Sequence, residues 1–187
     1  MVEDSRNLLN SSQEVLRALT FDEATAKLRA ALMTGPEIRT IRLVLDPTSS
    51  EIALWLEAVK AAIPEIRGLM VQRFFARMLC KAGYNVVVGS KLDIFARNRL
   101  RSLFMEVKSS LAGGRFGSSA EINQLDGYLI ASERRRAERW LGTMGINKPI
   151  ELRGTFRMQM RMRNIGLVDI RWASPNETLS THLQSVS

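Results

Sequence analysis

The chain has 187 residues, 45% hydrophobic, 25% charged and 6% aromatic, and a single cysteine, Cys80, which excludes collagen-like, low-complexity and disulfide-stapled classes and an all-cysteine zinc or iron–sulfur site. Its net charge of +8 is uneven: residues 1–66 carry 7 Lys/Arg against 10 Asp/Glu and residues 67–187 carry 20 against 9, so cationic surface is expected from the second part alone. Arginine outnumbers lysine 21 to 6, and its planar fork suits phosphate, so nucleic acid is the expected partner.

Residues 12–33 read as one or two amphipathic helices, with Leu16, Leu19, Ala24, Leu28 and Leu32 among the apolar positions and a break at Gly35-Pro36. Thr20 and Glu23 stand at the spacing of a capping box, so a helix restarts at Phe21. Ile38 to Leu45 is rich in β-branched and aliphatic residues and reads as a strand, and Ser49 or Ser50 can cap a helix running to Ala62. Pro64 punctuates the chain about where the charge changes sign. Residues 1–63 are therefore read as an accessory region, mostly helical with one strand, ahead of a core over 64–173 and a flexible tail over 174–187.

A helix is predicted from Glu65 to Ala82, ended by Gly83, because Val71, Phe74, Phe75, Met78 and Leu79 form one broad face. Three strands follow, Tyr84–Val88, Leu92–Ala96 and Leu103–Val107, with connections short enough for an antiparallel meander. Residues 109–119 form a Gly/Ser loop, and Ser119 can cap a long helix from Ala120 to about Leu141. A strand pair, Ile150–Met162 and Leu167–Trp172, closes an α/β architecture. No apolar run reaches the ~20 residues of a membrane helix, and the acidic start is unlike a signal peptide. A cytoplasmic protein without a membrane partner is expected.

The meander holds the chemistry. On a strand, residues i and i+2 share a face, so Glu106 and Lys108 project together, and Asp93 can meet them from the neighbouring strand. Two carboxylates and an ammonium so placed can hold a hard divalent cation, with Lys108 orienting a water or offsetting charge at phosphorus.

A helix, a meander carrying Asp93 and then Glu106-Val107-Lys108, a further helix and strands resemble the PD-(D/E)XK nuclease superfamily over about residues 65–172. The segments around Asp93 and Met105-Glu106-Val107-Lys108-Ser109-Ser110 look like archaeal Holliday-junction resolvases. Gln124 and Tyr128, in Gln124-Leu125-Asp126-Gly127-Tyr128, match the Gln-x-x-x-Tyr motif of RecB-type exonucleases. The resemblance implies a restriction-endonuclease-like core and a DNA nuclease dependent on Mg²⁺ or Mn²⁺. Asp93 and Glu106 would be metal ligands, the Val107 carbonyl a third, Lys108 the catalytic lysine, and Gln124 and Tyr128 supporting residues. Branched DNA, as cut by resolvase-like homodimers, and DNA ends or flaps both stay open as substrates.

Two positions depart from the pattern. Leu92 precedes Asp93 where the family has a degenerate proline. Gln72 stands where many members have a helical glutamate; it is a candidate ligand through its carbonyl oxygen, uncharged, with Glu65 as a fallback. That departure motivates the alternative of a DNA-binding or assembly protein that keeps the fold without efficient cleavage. Further DNA contacts are expected from Arg153, Arg157, Arg161 and Arg163 along one strand face, from Arg134 and Arg135 in the long helix, and from Arg115 beside Phe116, which could wedge into a strand.

Overall fold

A computed structural model describes residues 18–35, 39–89, 93–118, 120–121 and 136–174. Helix α1 (Phe21–Met33) starts on the anticipated capping box. The Thr20 hydroxyl accepts the Glu23 N–H at 3.2 Å, and the Glu23 carboxylate accepts the Thr20 N–H at 2.9 Å. Strand β1 (Thr40–Leu45) buries Ile41, Leu43 and Leu45 on alternate positions, and α2 (Ser50–Ala61) buries Ile52, Leu56 and Val59. Helix α3 (Pro64–Lys81) begins with proline at its first turn, where a missing N–H costs nothing, and is followed by Gly83 at φ +94°.

The meander follows as β2 (Asn85–Val88), β3 (Ile94–Arg97) and β4 (Ser102–Ser110), each antiparallel to the next. Strand β6 (Glu138–Gly145) runs parallel to β4, β8 (Ile165–Trp172) parallel to β6, and β1 parallel to β8. The result is a mixed six-stranded sheet in the order β1-β8-β6-β4-β3-β2, with helices on both faces. Helices α1, α2 and α3 cover one face over Leu43, Met105, Met144 and Ile170. The other face, through Leu141 and Ile165, is covered by α4 (Gly154–Met162) and a small parallel ribbon of β5 (Gly114–Phe116) and β7 (Ile150–Leu152). Packing runs across residue 63: β1 joins the common sheet, and Phe21, Leu28 and Val59 share one apolar cluster with Phe75 and Met105. Among the described residues no helix is long and apolar enough to cross a membrane.

Two expected elements are corrected. The strand expected over Ile150–Met162 is β7 followed by α4. Its alternating arginines and methionines satisfy a period of two, but Phe156 and Met160 also stand four apart, and these two are the residues buried. Met158 and Met162, which a strand would have buried with them, are 60% and 78% exposed. Arg, Gln and Met are good helix formers, so propensity and burial agree on the helix. The long helix expected from Ala120 to about Leu141 does not extend to that end, since Arg136 adopts φ +50° and Glu138 already begins β6; residues 122–135 lie outside the described residues. Glu138 and Arg139 at the start of β6 continue the charged run that precedes them, so pattern alone does not mark where the strand begins. The Gly/Ser loop is also shorter than expected, because β4 continues to Ser110 and β5 occupies Gly114–Phe116.

Close packing of α3 on the sheet depends on Gly142, the β6 partner of Val107. A Cβ there would lie 2.9 Å from a Phe75 ring carbon and 3.1 Å from the Met105 sulfur. Gly142→Ala is expected to destabilise the fold by about 1–3 kcal/mol through overpacking. Urea unfolding should show part of that loss regained when Phe75→Leu is added; additive losses would contradict the contact.

Candidate active site

The β3–β4 ladder ends at the pair Ile94↔Met105, leaving Glu106, Val107 and Lys108 on β4 beyond its β3 partner. Asp93, at the foot of β3, fills the place of the missing strand: its Oδ2 accepts the Val107 N–H at 2.8 Å. In extended backbone the N–H and C=O of one residue face the same edge, so the Val107 carbonyl opens on the side of Asp93. From α3, buried Gln72 donates its side-chain NH₂ to the Asp93 carbonyl at 2.8 Å and to Asp93 Oδ1 at 3.2 Å. Both partners are acceptors here, so the amide nitrogen must be the atom turned towards them. The carbonyl oxygen expected as a ligand is therefore not the Gln72 atom that meets Asp93. Gln72 fixes the acid in place. Glu65 is exposed in the first turn of α3.

Glu106 is 3% exposed; its Oε1 lies 2.8 Å from Lys108 Nζ, while its Oε2 is buried with no hydrogen-bond partner among the described residues. Lys108 also stands over the Phe116 ring, 5.9 Å from its centroid. The Asp93 carboxylate, the orphaned Glu106 oxygen and the Val107 carbonyl form a donor set of the kind a hard divalent cation takes. Among the described residues no three His, Cys, Asp or Glu side chains gather to hold a metal, so backbone and water would have to complete the shell.

Burial pushes the Asp93 carboxyl up, and the neighbouring Glu106 carboxylate adds to this. The Val107 N–H and the Lys108 charge oppose it, and the outcome is about 6 instead of the ordinary 3.8. Between those values the folded chain binds more protons than the unfolded one, so this group's contribution to stability falls as pH rises through the window. Asp93 keeps solvent access, which reduces the effect to about 1–2 kcal/mol. Urea unfolding in chelator should show the wild type losing that much relative to Asp93→Asn between about pH 4 and about pH 7. A difference that stays constant with pH would contradict the raised value.

Other anticipated residues distribute differently. Gln124, Tyr128, Arg134 and Arg135 lie outside the described residues. Arg115 is exposed on β5, 3.8 Å from Glu151. Phe116 does not project as a wedge: it is buried edge-to-face on Phe156 with centroids 5.4 Å apart. Arg153, Arg157, Arg161 and Arg163 do not share a strand face. Arg153 precedes α4 and Arg163 follows it, whereas Arg157 and Arg161, one turn apart, share a face of that helix.

Residues outside the expected set join the same sheet face. Lys108, Thr143, Asp169 and Arg42 are successive register partners across β4, β6, β8 and β1. Buried Asp169 accepts the Thr143 hydroxyl at 2.8 Å on Oδ1 and Arg171 Nε at 2.8 Å on Oδ2. The signal in the sequence was an acid and an arginine two residues apart, Asp169 and Arg171, in the otherwise apolar strand Ile165–Trp172. Glu121 accepts the Gly117 and Ser118 N–H groups at 2.8 and 2.6 Å. Burial opposes its ionisation, but these bonds and the Lys108 charge outweigh it and hold its carboxyl below the ordinary range. Compared with known proteins, the chain matches no family model and no curated sequence.

Proposed function

We propose that this protein is a metal-dependent nuclease hydrolysing phosphodiester bonds in DNA, at branches or at ends. The observation that carries the reading is the convergence at the end of β4: Asp93 bonded to the Val107 N–H, Glu106 paired with Lys108, and one Glu106 oxygen buried with no partner among the described residues. The order of α3 and then the β2–β3–β4 meander supports it, matching the first part of the order implied by the PD-(D/E)XK resemblance, while residues 122–135 of the further helix lie outside the described residues. The basic composition of residues 67–187 supplies the charge that lets a carboxylate site receive a phosphodiester.

Asp93, Glu106 and the Val107 carbonyl would hold Mg²⁺ or Mn²⁺, with Gln72 fixing Asp93. When bound, the ion supplies Lewis acidity towards a phosphoryl oxygen and lowers the pKa of a water. Lys108, positioned by Glu106, orients the attacking water and offsets the negative charge that builds on the phosphoryl oxygens. The buried floor around Leu141 and Phe116 keeps bulk water from the inner side of the pair, which strengthens both effects.

The test is cleavage of linear, single-stranded, flap and four-way-junction DNA with Mg²⁺ or Mn²⁺. Metal-dependent cutting of at least one is expected. Binding with a steep salt dependence and no cutting with either metal would overturn the reading and favour the non-cleaving binding or assembly protein that an amide at Gln72 allows.

A further inference from the structure

Between α4 and the outer half of the sheet lies a cavity of about 280 Å³. Five arginines line it: Arg39 and Arg42 from β1 and its approach, Arg157 and Arg161 from α4, and Arg171 from β8. The one carboxylate in the lining, Asp169, has both oxygens engaged by Thr143 and Arg171. Among the described residues no ion pair or side-chain hydrogen bond engages Arg39, Arg42, Arg157 or Arg161. Four guanidinium groups without partners around one cavity repel one another and call for an anion.

The walls narrow the class of ligand. Ile150, Leu152 and Met160 line the cavity beside the arginines, giving an apolar surface next to a cationic one. That combination suits a nucleotide, whose base and sugar pack on apolar surface while its phosphates take the forks, better than a bare inorganic anion. The volume is that of one nucleotide, and a duplex would not enter. Thr143 lines this cavity and is also the register partner of Lys108. Two strand spacings, about 10 Å, separate Lys108 from Asp169.

We infer that the cavity binds a single unpaired nucleotide of the DNA strand beside the scissile phosphate, with Arg157 and Arg161 on its phosphates. The inference rests on the nuclease reading for the place of the scissile phosphate, and it narrows the substrate to DNA with a single-stranded segment next to the cut. It also revises the expected origin of the cationic surface, because Arg39 and Arg42 come from the acidic front of the chain.

The test uses the full chain in chelator with a labelled oligothymidylate, read by fluorescence anisotropy across a salt series. Arg157→Gln/Arg161→Gln, both on the exposed side of α4, should not lower the thermal unfolding temperature and should weaken binding about ten-fold or more. It should also reduce the slope of log K against log salt by roughly 1.4, the value for two single-strand phosphate contacts. Arg29→Gln, exposed on α1, should change neither. Blunt duplex should compete less well than the oligothymidylate. Unchanged affinity and slope in the double variant would overturn the inference, and if metal-dependent cutting persists in that variant the nuclease reading stands without it. Binding that depends on Arg157 and Arg161 in a protein that no metal makes cut would leave the nucleotide site standing and remove the nuclease reading.

Discussion

Glu106→Gln and Asp93→Asn are each expected to lower metal-dependent cleavage by about 10³-fold while leaving the chain folded. Both replacements keep the volume of the side chain. In Glu106→Gln the buried oxygen with no partner among the described residues is replaced by, or set beside, an NH₂ group, which repels a cation and carries no charge. In Asp93→Asn the remaining oxygen can still accept the Val107 N–H, so the join between β3 and β4 survives while the charge beside Glu106 is lost. Single-turnover cleavage at saturating protein separates this effect from DNA affinity. A fall of less than ten-fold in both variants would remove these carboxylates from the chemistry.

Lys108→Ala is expected to lower cleavage by about 10²-fold or more and also to destabilise the fold by about 2–4 kcal/mol, a larger cost than Glu106→Gln incurs. The asymmetry follows from burial. Glu106 is 3% exposed, so removing its partner strands a carboxylate away from water, whereas the Lys108 side chain, 26% exposed, can turn its ammonium to solvent when Glu106 is neutralised. In the double variant Glu106→Gln/Lys108→Ala no charge is left stranded, so it should be more stable than Lys108→Ala alone. Urea unfolding of the four proteins forms the cycle. Equal losses for the two single variants, adding in the double, would mean that the pair is not coupled as its 2.8 Å separation requires. Lys108→Arg is not expected to restore cleavage, since a planar fork does not reproduce a compact ammonium.

These two results and the pH dependence of Asp93 address one feature, the concentration of negative charge at the end of β4. The fold keeps two carboxylates there with one ammonium and a pair of neutral donors, Gln72 and the Val107 N–H. The raised Asp93 value means that below about pH 6 a proton holds the carboxyl and a cation would have to compete with it. Metal affinity should therefore rise with pH through about 6.

The placing of Asp93, Glu106 and Lys108 together at the meander was legible in the sequence because it is local. Glu106 and Lys108 share a face by strand alternation alone, and Asp93 lies a short turn away on the adjoining strand, so short-range pattern was enough. The capping box at Thr20 and the Pro64–Lys81 helix were legible for the same reason. The segment Ile150–Met162 was not, since its composition satisfies two periods and only burial against Leu141 and Ile165 chose the helix. Gln72 shows a subtler limit. Its position was marked, but which end of its amide meets Asp93 depends on two acceptors supplied by a segment 21 residues away.

By itself the sequence determined the α/β class, the meander with its two carboxylates and lysine, and the excess of arginine. Tertiary structure decided where that charge is gathered. Parallel strands must be joined by long crossovers, so β1, β8 and β6 become neighbours only when the sheet closes. That closure sets Arg42 beside Asp169 and Asp169 beside Thr143, in line with Lys108, and no count of charge along the chain contains that row.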